Sequence, residues 1–170
     1  WTVLAKALGR DGLQALEIDA ARPQLVEAAN ALLRACHGDR FTLDVRTTIP
    51  TSDGKRMQEG LWIYALDALE GREAPVETFS GGERVILAEA ATDGLLLLAQ
   101  QHGILDRPTL VRDESGAALS PENGRAYVRM LRQVAAEIGS EKVLLVTHQS
   151  ELWDMADARI LLEDRRARIE

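Results

Sequence analysis

Apolar residues change their spacing twice along the chain, and the changes divide it into three zones. In the first zone, residues 1–38, they recur every three to four positions, which is typical of helices. This spacing predicts one helix around residues 4–8 and a second over residues 25–33, with Pro23 near its first turn. The whole zone is therefore predicted to be helical.

The second zone, about residues 40–70, is predicted to be extended. The stretch "FTLDVRTTI" (41–49) alternates apolar and polar residues, and "LWIYALDAL" (61–69) is rich in aromatic and β-branched side chains. Between them, "PTSDGKRMQEG" (50–60) contains the residue types of turns. A β-hairpin or meander is expected here.

In the third zone helices and strands alternate, which predicts an α/β fold with a parallel sheet core and flanking helices. The continuous apolar run in "KVLLVTH" is typical of a strand that is buried on both faces. The predicted elements are helices at about 82–102 and 120–139, strands at 108–114 and 142–148, and a closing hairpin at 158–164 and 166–170.

Three side chains with catalytic potential follow the two inner strands. Asp113 and Glu114 end one strand and His148 ends the other. Because ligands bind at the carboxyl ends of parallel strands, we expect these side chains near one site, where a carboxylate suits hydrated Mg²⁺. Taken singly, the two acids are explained equally well as solvated residues at the end of a strand. The histidine taken singly is explained as an ordinary surface residue.

A short turn precedes the first long helix of the third zone. Ser80, Gly81, Gly82 and Glu83 lie where the helix begins, so unpaired N–H groups and the positive end of the helix dipole are available there. Adjacent glycines allow another backbone or ligand to approach closely. The turn is predicted to hold phosphate oxygens.

Composition narrows the possible partners. A chain of 170 residues with 46% hydrophobic content is expected to form one domain, and its net charge of −7 argues against a surface devoted wholly to nucleic acid. No apolar run is long enough to span a bilayer, so no membrane partner is expected. The single Cys36 suits a reducing cytoplasm, and the start at Trp1 indicates a piece of a longer protein.

The order of four motifs resembles that of ABC-type ATPases. "FSGGE" (79–83) resembles their signature motif, "TLVRDE" (109–114) the Walker B strand, "SGAALS" (115–120) the D-loop and "LLVTHQ" (144–149) the switch histidine. In addition, "GRDGLQALEIDAA" (9–21) and "GDRF" (38–41) resemble the C-terminal ATPase lobe of SbcC-type, SMC-like proteins of DNA double-strand-break repair. The resemblance covers essentially the whole chain.

This resemblance implies the C-terminal lobe of an ABC-type ATPase head. Residues 1–38 would be a helical segment that re-enters from a coiled coil, and residues 39–170 the lobe itself. The chain lacks the motif G-x-x-x-x-G-K-[ST] of a P-loop, because its only Gly-Lys pair, Gly54-Lys55, lies in the predicted hairpin turn. The P-loop lobe is therefore expected elsewhere, and this chain alone is expected to be inactive.

The resemblance also implies roles. The turn from Ser80 to Glu83 would contact the γ-phosphate of ATP bound to a second head, while Asp113 would hold Mg²⁺ through water. Glu114 and His148 would act on nucleotide held by the chain's own P-loop lobe. Ser120 stands where the D-loop commonly carries Asp. The implied cofactors are ATP and Mg²⁺, and the implied partners are the P-loop lobe, a second head, an SbcD-type nuclease and DNA, in a nucleoid-associated location.

Two alternatives stay open beside this interpretation. The chain could belong to another ABC ATPase of SMC or transporter type. It could also be a non-catalytic scaffold derived from an ATPase that binds DNA or a nuclease, although Asp113, Glu114 and His148 count against that. An unrelated metal hydrolase is excluded, because the three histidines lack the spacing of metal ligands.

Overall fold

The fold was analysed in a computed structural model that describes residues 13–51, 53–163 and 166–169. None of the described helices combines the length and apolar character that a membrane span needs. The helices and strands are α1 (Leu13–His37), β1 (Phe41–Pro50), β2 (Met57–Asp67), β3 (Arg72–Pro75), α2 (Gly81–Gln101), β4 (Leu110–Asp113), α3 (Pro121–Glu137), β5 (Val143–Val146), α4 (Ser150–Trp153), β6 (Ile160–Glu163) and β7 (Arg166–Ile169).

Helix α1 is a single helix of 25 residues with Pro23 in its interior. The prediction of a separate helix with Pro23 near its first turn is therefore wrong. Proline removes one backbone hydrogen bond and crowds the preceding turn, but Pro23 is exposed, and the buried Ala29, Leu32 and Leu33 hold the following turns against the core. The helix predicted around residues 4–8 lies outside the described residues.

Strands β1, β2 and β3 form an antiparallel meander, which confirms the predicted extended zone. Along β1 the side chains of Phe41, Leu43 and Val45 are buried on one face, as the alternation predicts. The Asn30 side chain of α1 completes the edge: its Nδ2 donates to the Leu43 carbonyl at 2.9 Å, and its Oδ1 accepts from the Leu43 N–H at 2.7 Å. A buried polar side chain thus pairs with an edge that otherwise ends the sheet.

Strands β4 and β5 pair in parallel, with Leu110 opposite Val143 and Asp113 opposite Val146. One face of this pair packs into the core against α2 and α3. The other face is uncovered within the described residues, where the exposed fractions of Val111, Leu144 and Val146 are 56%, 49% and 50%. The prediction that β5 is buried on both faces is therefore wrong for this chain, because α2 and α3 cover only one of them.

Two further features complete the fold. Gly94 marks the closest approach of α2 to α1, since a Cβ atom there would lie 3.1 Å from the Cβ of Ala29. Strands β6 and β7 pair antiparallel, which confirms the predicted closing hairpin.

A cluster of charged and polar side chains lies inside the core between α2, β4 and α3. Arg112 of β4 donates to Glu89 Oε2 at 2.9 Å and to Asp93 Oδ1, both on α2. The Tyr127 hydroxyl of α3 donates to the same Glu89 oxygen at 3.2 Å. Asp93 is fully buried, and its Oδ2 has no hydrogen-bond partner among the residues that the structure describes. Burial raises the pKa of Asp93 from its ordinary 3.8 to about 6, although Arg112 acts in the opposite direction.

We expect Asp93→Asn to change how the stability of the chain depends on pH. The folded state holds the Asp93 proton more tightly than the unfolded state, so ionising Asp93 destabilises the wild type as pH rises from about 4 to about 6. Over that window the free energy of unfolding of the variant should rise relative to the wild type, by up to about 3 kcal/mol for a shift of about two pKa units. Urea unfolding at several pH values measures this difference, and parallel curves for the two proteins would contradict it.

Candidate nucleotide site

The turn before α2 is built as a helix cap. Ser80 is the N-cap: its Oγ accepts from the Glu83 N–H at 3.5 Å. The Glu83 carboxylate in turn accepts from the Ser80 N–H at 3.2 Å and from the Ser80 hydroxyl at 2.7 Å. This reciprocal arrangement is a capping box, which fixes the start of the helix while Ser80 and Gly81 stay exposed. Phe79 before it is buried and meets Phe41 edge to face at 6.3 Å between ring centroids.

Glu83 is also tied to the junction between α1 and β1. Arg40 donates to Glu83 Oε1 and, at 2.7 Å, to Asp67 Oδ2. The hydrogen bond from Ser80, supported by Arg40, lowers the pKa of Glu83, and the bond from Arg40 lowers the pKa of the buried Asp67. Both carboxylates are therefore ionised at neutral pH. No local sequence pattern indicates this pairing, because Arg40 and Glu83 are separated by 43 positions.

The two glycines of the turn differ in their surroundings. A Cβ atom on Gly82 would lie 3.2 Å from the carbonyl oxygen of Ala118, whereas one on Gly81 would meet nothing closer than the Ala118 Cβ at 4.0 Å. Gly82 therefore has a packing reason within the chain. Only Gly81 retains the reason that the sequence suggested for both, which is room for something outside the chain.

The acids at the end of β4 occupy different settings. Asp113 is exposed and, by strand alternation, lies on the same uncovered face of the sheet as Val111. Glu114 has a positive φ of 54°, a conformation that costs free energy for a non-glycine residue. The hydrogen bond from its N–H to the Val146 carbonyl, at 3.0 Å, helps to hold it there. The strained residue is thus a predicted catalytic one.

Glu114 and His148 are brought together, as their positions at the ends of adjacent parallel strands predict. His148 Nε2 lies 3.4 Å from Glu114 Oε1, and the histidine side chain is 94% exposed. This Glu114 oxygen is buried and has no hydrogen-bond partner among the described residues. An unpaired carboxylate oxygen beside an exposed imidazole can accept a proton or hold a water molecule.

The loop of residues 115–120, called the 115–120 loop below, contacts both the turn before α2 and the segment after β5. Gln149 Nε2 donates to the carbonyls of Gly116 at 3.0 Å and Leu119 at 3.1 Å. Because Gly82 packs on Ala118, the loop touches both the turn before α2 and the segment after β5. The motif "LLVTHQ" contains Gln149, but nothing in the sequence indicated that its amide holds this loop.

Ser120 serves as the N-cap of α3, where its Oγ accepts from the Asn123 N–H at 3.4 Å. The role of Ser120 in the D-loop stays a prediction.

The residues fit magnesium held mainly by phosphate and water. Among the residues that the structure describes, no three His, Cys, Asp or Glu side chains could hold a metal ion by themselves. Mg²⁺ at nucleotide sites needs only one or two carboxylates besides phosphate oxygens and water, and the exposed Asp113 can supply one.

Comparisons with known proteins identify the fold. The chain matches no protein-family model and no curated protein. Among solved structures it matches an SMC ATPase studied for ATP-driven dimerisation and DNA-stimulated activation, with a TM-score of 0.65 and 16% identity over 92% of this chain and 88% of that one.

Two other SMC structures match as well. The Pyrococcus furiosus Smc head with an extended coiled coil, bound to the C-terminal domain of ScpA, has a TM-score of 0.66 and 16% identity over 92% of this chain and 36% of that chain. The SMC head domain from Thermotoga maritima has a TM-score of 0.55 and 18% identity over 95% and 54%. The chain thus spans about a third to a half of these two structures, and its fold is similar to that of SMC head domains.

Proposed function

We propose that this chain is half of an ATP-hydrolysing head that dimerises around ATP. The observation that carries the proposal is the meeting of Glu114 and His148, 3.4 Å apart, at the carboxyl ends of β4 and β5 beside the exposed Asp113. A titratable pair at this edge of a parallel sheet suits a reaction in which water attacks a phosphoryl group.

The reaction is transfer of the γ-phosphoryl group to water. Glu114 orients or activates the water through its unpaired oxygen, and His148 contacts the phosphate from the end of the adjacent strand. Asp113 would hold Mg²⁺ through a water molecule. When bound, this ion offsets the negative charge of the phosphates. Positioning and charge neutralisation supply most of the rate enhancement in such reactions.

The missing part of the site belongs to a P-loop lobe that covers the open face of β4 and β5. Val111, Leu144 and Val146 expose apolar surface on that face, and Asp113 lies on it too. A lobe that packs there would bury the apolar side chains and bring its nucleotide to Asp113.

The turn at Ser80 and Gly81 serves nucleotide bound to a second head. The turn is exposed at the N-terminus of α2, and Gly81 leaves space for a phosphate. Each nucleotide would then lie between the acids of one head and the turn of the other.

The finer assignment is an SbcC-type head of DNA double-strand-break repair, nucleoid-associated in the cytoplasm, which regulates an SbcD-type nuclease on DNA ends. Its support is the resemblance of residues 9–21 and 38–41, together with the contact between Arg40 and Glu83. The same proposal includes the division of the chain into a segment that re-enters from a coiled coil, residues 1–38, and the ATPase lobe, residues 39–170. The second candidate is a head of an SMC protein proper with a ScpA-like partner, favoured by the solved SMC heads that the chain matches.

Without a P-loop lobe, the chain should bind ATP weakly and hydrolyse none. We expect titration calorimetry with Mg-ATP to show no tight binding by the chain itself and clear binding after the P-loop lobe is added. Micromolar affinity of the chain alone would contradict the split site.

Mixed dimers can separate the two classes of residue. Complete heads carrying Ser80→Arg should be inactive because a long cationic side chain blocks the partner's phosphate, and heads carrying Glu114→Gln because they lack the carboxylate. In a mixed dimer one site carries both lesions and the other carries none. ATPase activity in the mixture, with neither variant active alone, is the expected result.

Two controls accompany this experiment. Each variant should bind nucleotide like the wild type, because the cradle lies in the other lobe. Crosslinking should show that mixed dimers form. If they form and the mixture stays inactive, either the turn at Ser80 does not act on a partner's nucleotide or both sites must be intact for either to hydrolyse ATP.

The two glycines form a matched pair for a second test. Gly81→Ala should leave folding intact or stabilise it by up to about 1 kcal/mol through helix propensity, yet weaken the ATP-dependent dimer. Gly82→Ala should be less stable than Gly81→Ala, since its methyl group presses on the Ala118 carbonyl. Urea unfolding of the chain and sedimentation of complete heads with ATP give the two readouts. An unchanged dimer for Gly81→Ala would count against a phosphate at this position.

A further inference from the structure

Three elements that adjoin the candidate site meet at the buried side chain of Arg112. Helix α2 begins at the turn of Ser80, β4 ends at Asp113, and α3 begins after Ser120. Arg112 of β4 contacts Glu89 and Asp93 of α2. Glu89 also accepts a hydrogen bond from the hydroxyl group of Tyr127 on α3.

The contacts of Arg112 fix the distance between β4 and α2 and the rotation of α2 about its axis. Its Nε binds Glu89 and its Nη2 binds Asp93, so a planar group spans two carboxylates on successive turns of one helix face. The Arg112 side chain is 14% exposed, and water screens these interactions little.

Burial alone does not require charge at this position. The other residue of the strand that faces the core, Leu110, is apolar, and replacing buried ion pairs by apolar side chains of similar volume is often neutral or stabilising. The fully buried Asp93 keeps one oxygen unpaired, which makes the cluster costly. Arg112 of this costly cluster directly precedes Asp113 and Glu114 in the sequence. The cluster is therefore expected to have a role other than packing.

We propose that Arg112 is a positioning residue that holds α2 in register with Asp113 and Glu114. When the turn at Ser80 takes up a partner's nucleotide, the resulting shift of α2 reaches the chain's own catalytic acids through Glu89, Asp93 and Arg112. The proposal rests on the proposed function, because it links the two nucleotides of an ATP-bound dimer.

The geometry suits such a link. Glu89 lies nine positions after Ser80 on the same helix, roughly 13 Å along its axis, a distance over which an α-helix moves as a unit. Arg112 precedes Asp113 directly, so a displacement of its backbone alters the strand end that carries both acids.

The test uses complete heads with a neutral cluster. The triple variant Arg112→Met, Glu89→Gln, Asp93→Leu removes all three charges, roughly preserves side-chain volume and leaves Tyr127 an acceptor. We expect ATP affinity within about twofold of the wild type, kcat lower by about tenfold or more, and loss of cooperativity between the two sites. The single variant Arg112→Lys keeps the charge but loses the contact through two nitrogens. Its kcat should lie between those of the triple variant and the wild type.

A matched control removes an ion pair remote from the link. Arg132 and Asp157 form an exposed pair at 3.0 Å, and the double variant Arg132→Met, Asp157→Asn should leave kcat, ATP affinity and cooperativity unchanged.

Each outcome decides the proposal. Wild-type kcat and cooperativity in the folded triple variant would overturn it. If circular dichroism shows that the triple variant is unfolded, Glu89→Gln alone carries the test, with reduced kcat at unchanged ATP affinity expected and unchanged kcat contradicting the proposal. A wild-type head without ATPase activity would instead refute the proposed function, and with it the basis of this inference.

Discussion

Helices α2 and α3 cover only one face of the parallel pair β4–β5, and this one-sided cover determines what the chain offers to a partner. Strand alternation places Leu110 and Arg112 toward the helices and Val111 and Asp113 toward the open face. The apolar side chains of the open face and the exposed carboxylate are therefore on the same side of the sheet. A partner that packs on this face must bury the apolar side chains and also accommodate the carboxylate of Asp113.

The helix that begins at the signature-like turn is held at two levels by guanidinium groups. Arg40 binds Glu83 in the first turn of α2, and Arg112 binds Glu89 and Asp93 further along. The first contact reaches the junction of α1 and the meander, and the second reaches β4, the strand that ends at Asp113. Because both are charge-assisted contacts of limited exposure, they constrain the helix more than apolar packing would.

Sequence patterns predicted the elements where one physical rule governs them. The meander follows from alternation, and the closeness of Glu114 and His148 follows from parallel strands that end at one edge. The patterns failed where neighbours in space decide. Pro23 lies inside α1 because tertiary packing outweighs its helix-breaking tendency, and β5 is half exposed because α2 and α3 cover only one of its faces. The pairing of Arg40 with Glu83 and the hold of Gln149 on the 115–120 loop join residues that no local pattern relates.

The 115–120 loop shows how these constraints combine. Gln149 donates to its carbonyls from the segment that carries His148, and Gly82 packs on its Ala118 from the turn that carries Ser80. The loop also continues directly from Glu114, whose strained φ is fixed by the strand pair on one side and by the Ala117 N–H, which donates to its carbonyl at 3.0 Å, on the other. A change in any one of the three segments must therefore be accommodated by the other two. The loop thus connects the turn, the acid and the histidine, although Ser80 and His148 lie 68 positions apart in the sequence.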